Sequence, residues 1–97
     1  MALETIPFDA ADHLGSEAAQ VELLADAFES GEVAYVAEAL GVVARARGMT
    51  EVAREAGITR EALYRALSDK GDPRLSTLLG VARALGLRLT VAPKDAA

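Results

Sequence analysis

MTEVAREAGITREALYRAL, residues 49–67, decides how the rest of the chain is read. Two short helical patterns flank a single glycine. In the first, Val52 and Ala53 face one way, and Gly57 then stops the run, because glycine tolerates the left-handed backbone that such a stop requires. Ile58 follows as an apolar plug, and Thr59 is placed to cap the next helix with its hydroxyl. Leu63 and Leu67, four residues apart, give that helix an inner side, with Ala62 and Ala66 beside them. Arg60, Glu61, Tyr64, Arg65 and Ser68 fall on the other side.

A helix, a glycine-centred turn and a polar, partly basic second helix make the sequence form of a DNA-binding helix-turn-helix. An ordinary αα-hairpin fits the pattern equally well, because amphipathic helices often share a glycine turn.

Toward the C-terminus, residues 69–73 (DKGDP) read as a loop dense in turn residues. Asp72 and Pro73 are the expected cap and first residue of a closing helix that runs to Leu85 and ends at Gly86. Its expected inner stripe is Leu75, Leu78, Leu79, Ala82 and Leu85. Residues 87–92 (LRLTVA) then alternate, with Leu87, Leu89 and Val91 on one face, which is the period of a strand. A lone strand leaves its backbone groups unpaired. It is expected to pair with the N-terminal arm or, as favoured here, with the same strand of a second subunit.

Toward the N-terminus, residues 1–8 are expected as an extended arm, with Pro7 blocking a helix, and Asp9 as the cap of a short helix at 10–14 ended by Gly15. Ser16 caps a second helix to about Glu29, with Val21, Leu24 and Phe28 as its stripe and Ala18 and Ala25 in support. A third helix over 32–47 carries two stripes, Val33-Val36-Leu40-Val43 and Tyr35-Ala39-Val42-Ala46. A helix apolar over so much of its circumference packs on more than one side, so it is expected at the centre. Gly41 inside it costs about 1 kcal/mol relative to Ala, and the expected gain is close approach of a neighbouring helix.

The chain has 97 residues, enough for one domain. Apolar residues make up 52% and aromatics only 4%, a composition that favours helices over strands and argues against disorder. The fold expected is therefore all-α, five to six helices with one short C-terminal β-strand. Residues 1–47 are its acidic N-terminal helices, 48–86 the helix-turn-helix part of the same domain, and 87–97 the dimerisation strand and tail. There is no cysteine, hence no disulfide framework and no thiolate metal site. Neither a secretory signal nor a membrane-spanning run is present, and a cytoplasmic location without membrane contact is expected.

The net charge of −5 is unevenly distributed. Residues 1–44 hold nine acidic side chains and no Lys or Arg, whereas residues 45–97 hold all ten Lys and Arg against six acids. Two partners, or two differently used faces, follow from such asymmetry, although two ordinary solvated surfaces would look the same. A positive face can meet phosphate on an acidic protein, because at physiological salt the field reaches only about 8 Å.

A helix-turn-helix places the start of its second helix in the major groove of double-stranded DNA. Arg60, Glu61, Tyr64 and Arg65 are then the base-edge candidates. Glu61 has the plainer alternative of orienting Arg65 one turn on, and Tyr64 that of packing on the domain. Thr50, Thr59, Lys70 and Arg74 are candidates for phosphate contacts, which position without specifying. Arg54 is as well explained as a solvated surface charge. His13, the single histidine, lies near Asp9 and Asp12, but so short a helix closes no metal site. No metal, no cofactor and no catalytic grouping is expected, so the chain is not read as an enzyme.

Over residues 48–91, GMTEVAREAGITREALYRALSDKGDPRLSTLLGVARALGLRLTV, the chain resembles addiction-module antidote proteins, HigA-like members of the Xre/Cro helix-turn-helix group. The opening PFDAADHL at 7–14 is similar to that family as well. The resemblance implies a lambda-repressor-like bundle and a homodimeric antitoxin that represses its own operon at a pseudo-palindromic operator. It also implies a toxin partner, a small basic RNA-cleaving protein of the RelE/HigB type. Glu17, Glu22, Asp26 and Glu29 are the candidate toxin-facing residues, by charge complementarity. Leu87, Leu89 and Val91 are the candidates for dimerisation. Many antitoxins use a long disordered tail to hold their toxin; this chain has none, which leaves the folded N-terminal helices for that task. The competing reading is a stand-alone Xre-family transcriptional regulator without a toxin, and a third is a protein-binding module on the same scaffold.

Overall fold

A computed structural model describes residues 16–94, which are all-helical, with five helices and no strand among them. The arm expected at 1–8, the short helix expected at 10–14 with His13, and the last three residues of the chain lie outside the described residues.

Helix α1, Glu17–Ser30, starts where Ser16 turns extended and its Oγ accepts a hydrogen bond from the Ala19 N–H at 3.1 Å. Gly31, left-handed, ends it. The buried stripe is Gln20, Leu24 and Ala27, a correction to the expected Val21-Leu24-Phe28 line. The rotation has a polar cause. Gln20 Oε1 accepts from Arg47 Nε at 2.9 Å, which lets a glutamine enter the core and leaves Val21 and Phe28 at its edge.

Helix α2, Val33–Arg47, buries Ala37, Ala39, Leu40, Gly41, Val43 and Ala44 and packs on α1 to one side and on the following helix to the other. It does not hold the centre expected for it: the following helix, Met49–Ala56, packs on three helices where this one packs on two, and Val33, at 56% exposure, leaves its expected stripe. Gly41 serves close approach: a Cβ there would lie 2.5 Å from the Leu67 carbonyl oxygen.

Helices α3, Met49–Ala56, and α4, Arg60–Ala66, are the pair read from the opening stretch. Gly57 between them has φ 79°, and the Ile58 N–H donates back to the Ala53 carbonyl at 3.1 Å. Helix α5, Leu75–Ala84, packs most extensively on α3, where Gly80 meets Ala56. It begins two residues later than expected: Arg74, not Asp72, is its N-cap. Asp72 and Pro73 instead line a small hollow with Phe28, Val36 and Leu78, so the chain crosses that hollow before it turns helical. Its inner side is Val81, Ala82 and Leu85 with Leu78 partly covered; Leu75 and Leu79 are exposed, against expectation. The core joins Leu24, Leu40, Val43, Val52, Leu63, Leu67, Val81 and Leu85 from all five helices and their caps.

Residues 87–94 form neither helix nor ladder. The strand expected at 87–92 is therefore not formed among the described residues, where no second extended segment makes a ladder with it.

Candidate nucleic-acid interface

Helix α4 is short, so its orientation depends on its cap and its core side chains. Thr59 is extended, and its Oγ1 accepts from the Ala62 N–H at 3.0 Å. That bond uses an acceptor lone pair and leaves the hydroxyl proton free to donate outward. Leu63, with no exposed surface, and Leu67 fasten the helix to the core. The four candidate readers, Arg60, Glu61, Tyr64 and Arg65, all remain exposed on its outer side.

Arg60 and Tyr64 belong together. The guanidinium carbon lies 5.5 Å from the tyrosine ring centroid, and Nη2 approaches the hydroxyl at 3.4 Å. Tyr64 keeps 41% of its surface exposed and carries Arg60 over its ring. Their four-residue spacing was the sequence signal for this pair. Glu61 and Arg65 form no ion pair; the one ion pair among the described residues joins Glu51 and Arg54. Arg54 is thus compensated locally, while the Arg65 guanidinium, Lys70 and Arg74 have no side-chain partner among the described residues. Thr50, exposed in the first turn of α3, completes the set.

The acidic candidates are also all exposed, but they do not form one row. By the helical repeat, Glu22, Asp26 and Glu29 share a sector of about 60° on α1, whereas Glu17 lies on another side, near the line of Val21 and Phe28. Asp26 has a structural task as well. Its Oδ2 accepts from the Tyr35 hydroxyl at 2.6 Å, tying α1 to α2. That hydrogen bond, with some desolvation and the nearby negative charge, raises the Tyr35 pKa above its ordinary 10.0. Sequence alone did not show this link or the one from Arg47 to Gln20, because their partners are 9 and 27 residues apart and meet only through packing.

Among the described residues no group of three His, Cys, Asp or Glu side chains could hold a metal ion, and no helix is long and apolar enough to cross a membrane.

A family model described as "Probable addiction module antidote protein" matches residues 4–93. A Haemophilus influenzae protein described only as uncharacterized is 43% identical over 84 residues, covering 87% of each chain. No solved structure matches the chain. With the match running over nearly its whole length, the chain belongs to the probable addiction module antidote protein family.

Proposed function

We propose that this protein is the antitoxin of a toxin–antitoxin module and that it represses its own operon as a DNA-binding dimer. In this reading α3 and α4 are a helix-turn-helix of the Xre type, with α4 in the major groove. The observation that carries it is the outer face of α4, where Arg60, Tyr64 and the unpaired Arg65 stand exposed on a helix locked from beneath by Leu63. Arg60 and Arg65 read base edges, while Thr50, Thr59, Lys70 and Arg74 contact phosphates. Two copies joined through residues 87–91 present their α4 helices about 34 Å apart on a pseudo-palindrome.

The toxin, a small basic protein of the RelE/HigB type, is met by the acidic side of α1 around Glu22 and Asp26, with Glu29 at its edge and Glu17 left on another side of the helix. Opposite charge there speeds encounter and suppresses wrong partners. Both partners place the protein in the cytoplasm.

Growth of cells expressing the neighbouring reading frame, alone and with this protein, tests the antitoxin reading. Arrest relieved by co-expression is the expected result. A harmless neighbour would leave a stand-alone DNA-binding regulator, to be followed through binding to its own promoter.

A further inference from the structure

Leu87, Leu89 and Val91 alternate along one face of the C-terminal segment, and that face leaves the core as it proceeds. Leu87 packs on the core, Leu89 is 38% exposed and Val91 is 94% exposed. The segment forms one wall of a groove of about 790 Å³, whose other walls include Val21 and Phe28 of α1 and Leu78 and Ala82 of α5. Its two rims differ in sign. Glu29 lies on the α1 side and Arg88 and Lys94 on the C-terminal side, and none of the three is in an ion pair.

We propose that this groove is the interface between two copies of the chain, each laying its residues 87–94 into the groove of the other about a two-fold axis. The proposal rests on the dimeric reading above and adds the surface to it. A two-fold interface sets one patch against itself, so an acidic rim opposite a basic rim becomes complementary to its own rotated copy. Glu29 of each copy then faces Arg88 and Lys94 of the other. A uniformly basic partner would be repelled by those two cations, which favours a second copy over a toxin as the occupant. About the same axis the two segments run antiparallel, so backbone groups beyond Leu87, whose own N–H donates to the Ala82 carbonyl, pair with those of the other copy, and Val91 is covered by Val21 and Phe28.

Sedimentation equilibrium of the full chain, without DNA or toxin, tests this. Val91→Asp removes no intrachain packing and is expected to weaken dimerisation by about tenfold or more, with an unchanged helical circular-dichroism signal. Glu29→Lys, and separately Arg88→Glu with Lys94→Glu, are expected to weaken self-association by a similar factor. Mixing those two variants restores a heterodimer, because every rim pair is attractive again. A wild-type chain that stays monomeric overturns the proposal. So does a dimer indifferent to all three variants, or a Val91→Asp protein that loses toxin binding but not dimerisation. None of these outcomes touches the assignment of α4 to DNA, which the arginine variants described below test separately.

Discussion

The Arg60 guanidinium sits 5.5 Å from the centre of the Tyr64 ring, whereas Arg65, one residue further along the same exposed face, has no side-chain partner. The two arginines are therefore held differently. Tyr64→Phe keeps the ring beneath Arg60 and loses only the long 3.4 Å contact to the hydroxyl, so operator affinity should stay near wild type. Tyr64→Ala releases Arg60 and should cost about 0.5–1 kcal/mol, the scale of an exposed cation–π contact. Equal losses in the two variants, measured by fluorescence anisotropy on the protein's own promoter, would assign the hydroxyl rather than the ring to binding.

Arg65→Ala should cost about 1–3 kcal/mol of operator binding and relax the preference at one base pair, as expected for an arginine bidentate on guanine. Lys70→Ala should instead weaken all sequences alike and reduce the salt slope by about 0.9, the mark of one lost phosphate contact. Affinities at several salt concentrations on operator and scrambled DNA separate the two. An Arg65 variant that changed only the salt slope would move that residue to the phosphates.

Glu22→Lys with Asp26→Lys should abolish rescue of toxin-expressing cells while leaving operator affinity intact. Unchanged rescue would return the acidic side of α1 to a solvated surface. Melting of the variant is the necessary control, because Asp26 also accepts the Tyr35 hydroxyl.

That hydroxyl predicts a pH dependence. The Tyr35 pKa is raised on folding, so its neutral, donating form is the one the fold favours. The stabilisation is fully present below pH about 10 and is lost as pH rises through the raised folded value. Tyr35→Phe should therefore melt below wild type at neutral pH, with the gap closing in alkali. A gap that persists at high pH would assign the difference to packing.

Gly41→Ala opposes two effects. Alanine is favoured in a helix interior by about 1 kcal/mol. The added methyl, however, would lie 2.5 Å from the Leu67 carbonyl oxygen, a backbone atom that cannot swing aside. Overpacking of this kind costs up to about 3 kcal/mol, so a net loss of roughly 2 kcal/mol is expected. At about 4–8 °C per kcal/mol, thermal unfolding resolves it easily, and a stabilised variant would show that the helices separate at little cost.

Local chemistry made much of this fold legible in the residues. Ser16, Gly31, Gly57 and Thr59 act on backbone within a turn of themselves, so both ends of α1, the end of α3 and the start of α4 follow from them. The outward set on α4 was legible for the same reason: helical spacing separates Arg60, Glu61, Tyr64 and Arg65 from Leu63 and Leu67 before any neighbour is known. What the helical period cannot decide is which apolar stripe wins when a helix carries more than one. On α1 the choice was made by Arg47, 27 residues from Gln20, and on α5 by the meeting of Gly80 with Ala56, which turned Val81 inward and left Leu75 and Leu79 outside. The start of α5 was shifted in the same way, by a hollow between α1, α2 and the loop that no local pattern encodes. Sequence by itself thus determined where most of the helices begin and stop, and which side of α4 is polar, because caps, turns and periodicity act over a few bonds. Only the tertiary structure decided which faces are buried, how Arg60 and Asp26 are held, and where the apolar groove opens beside Val91, because those depend on groups brought together from distant parts of the chain.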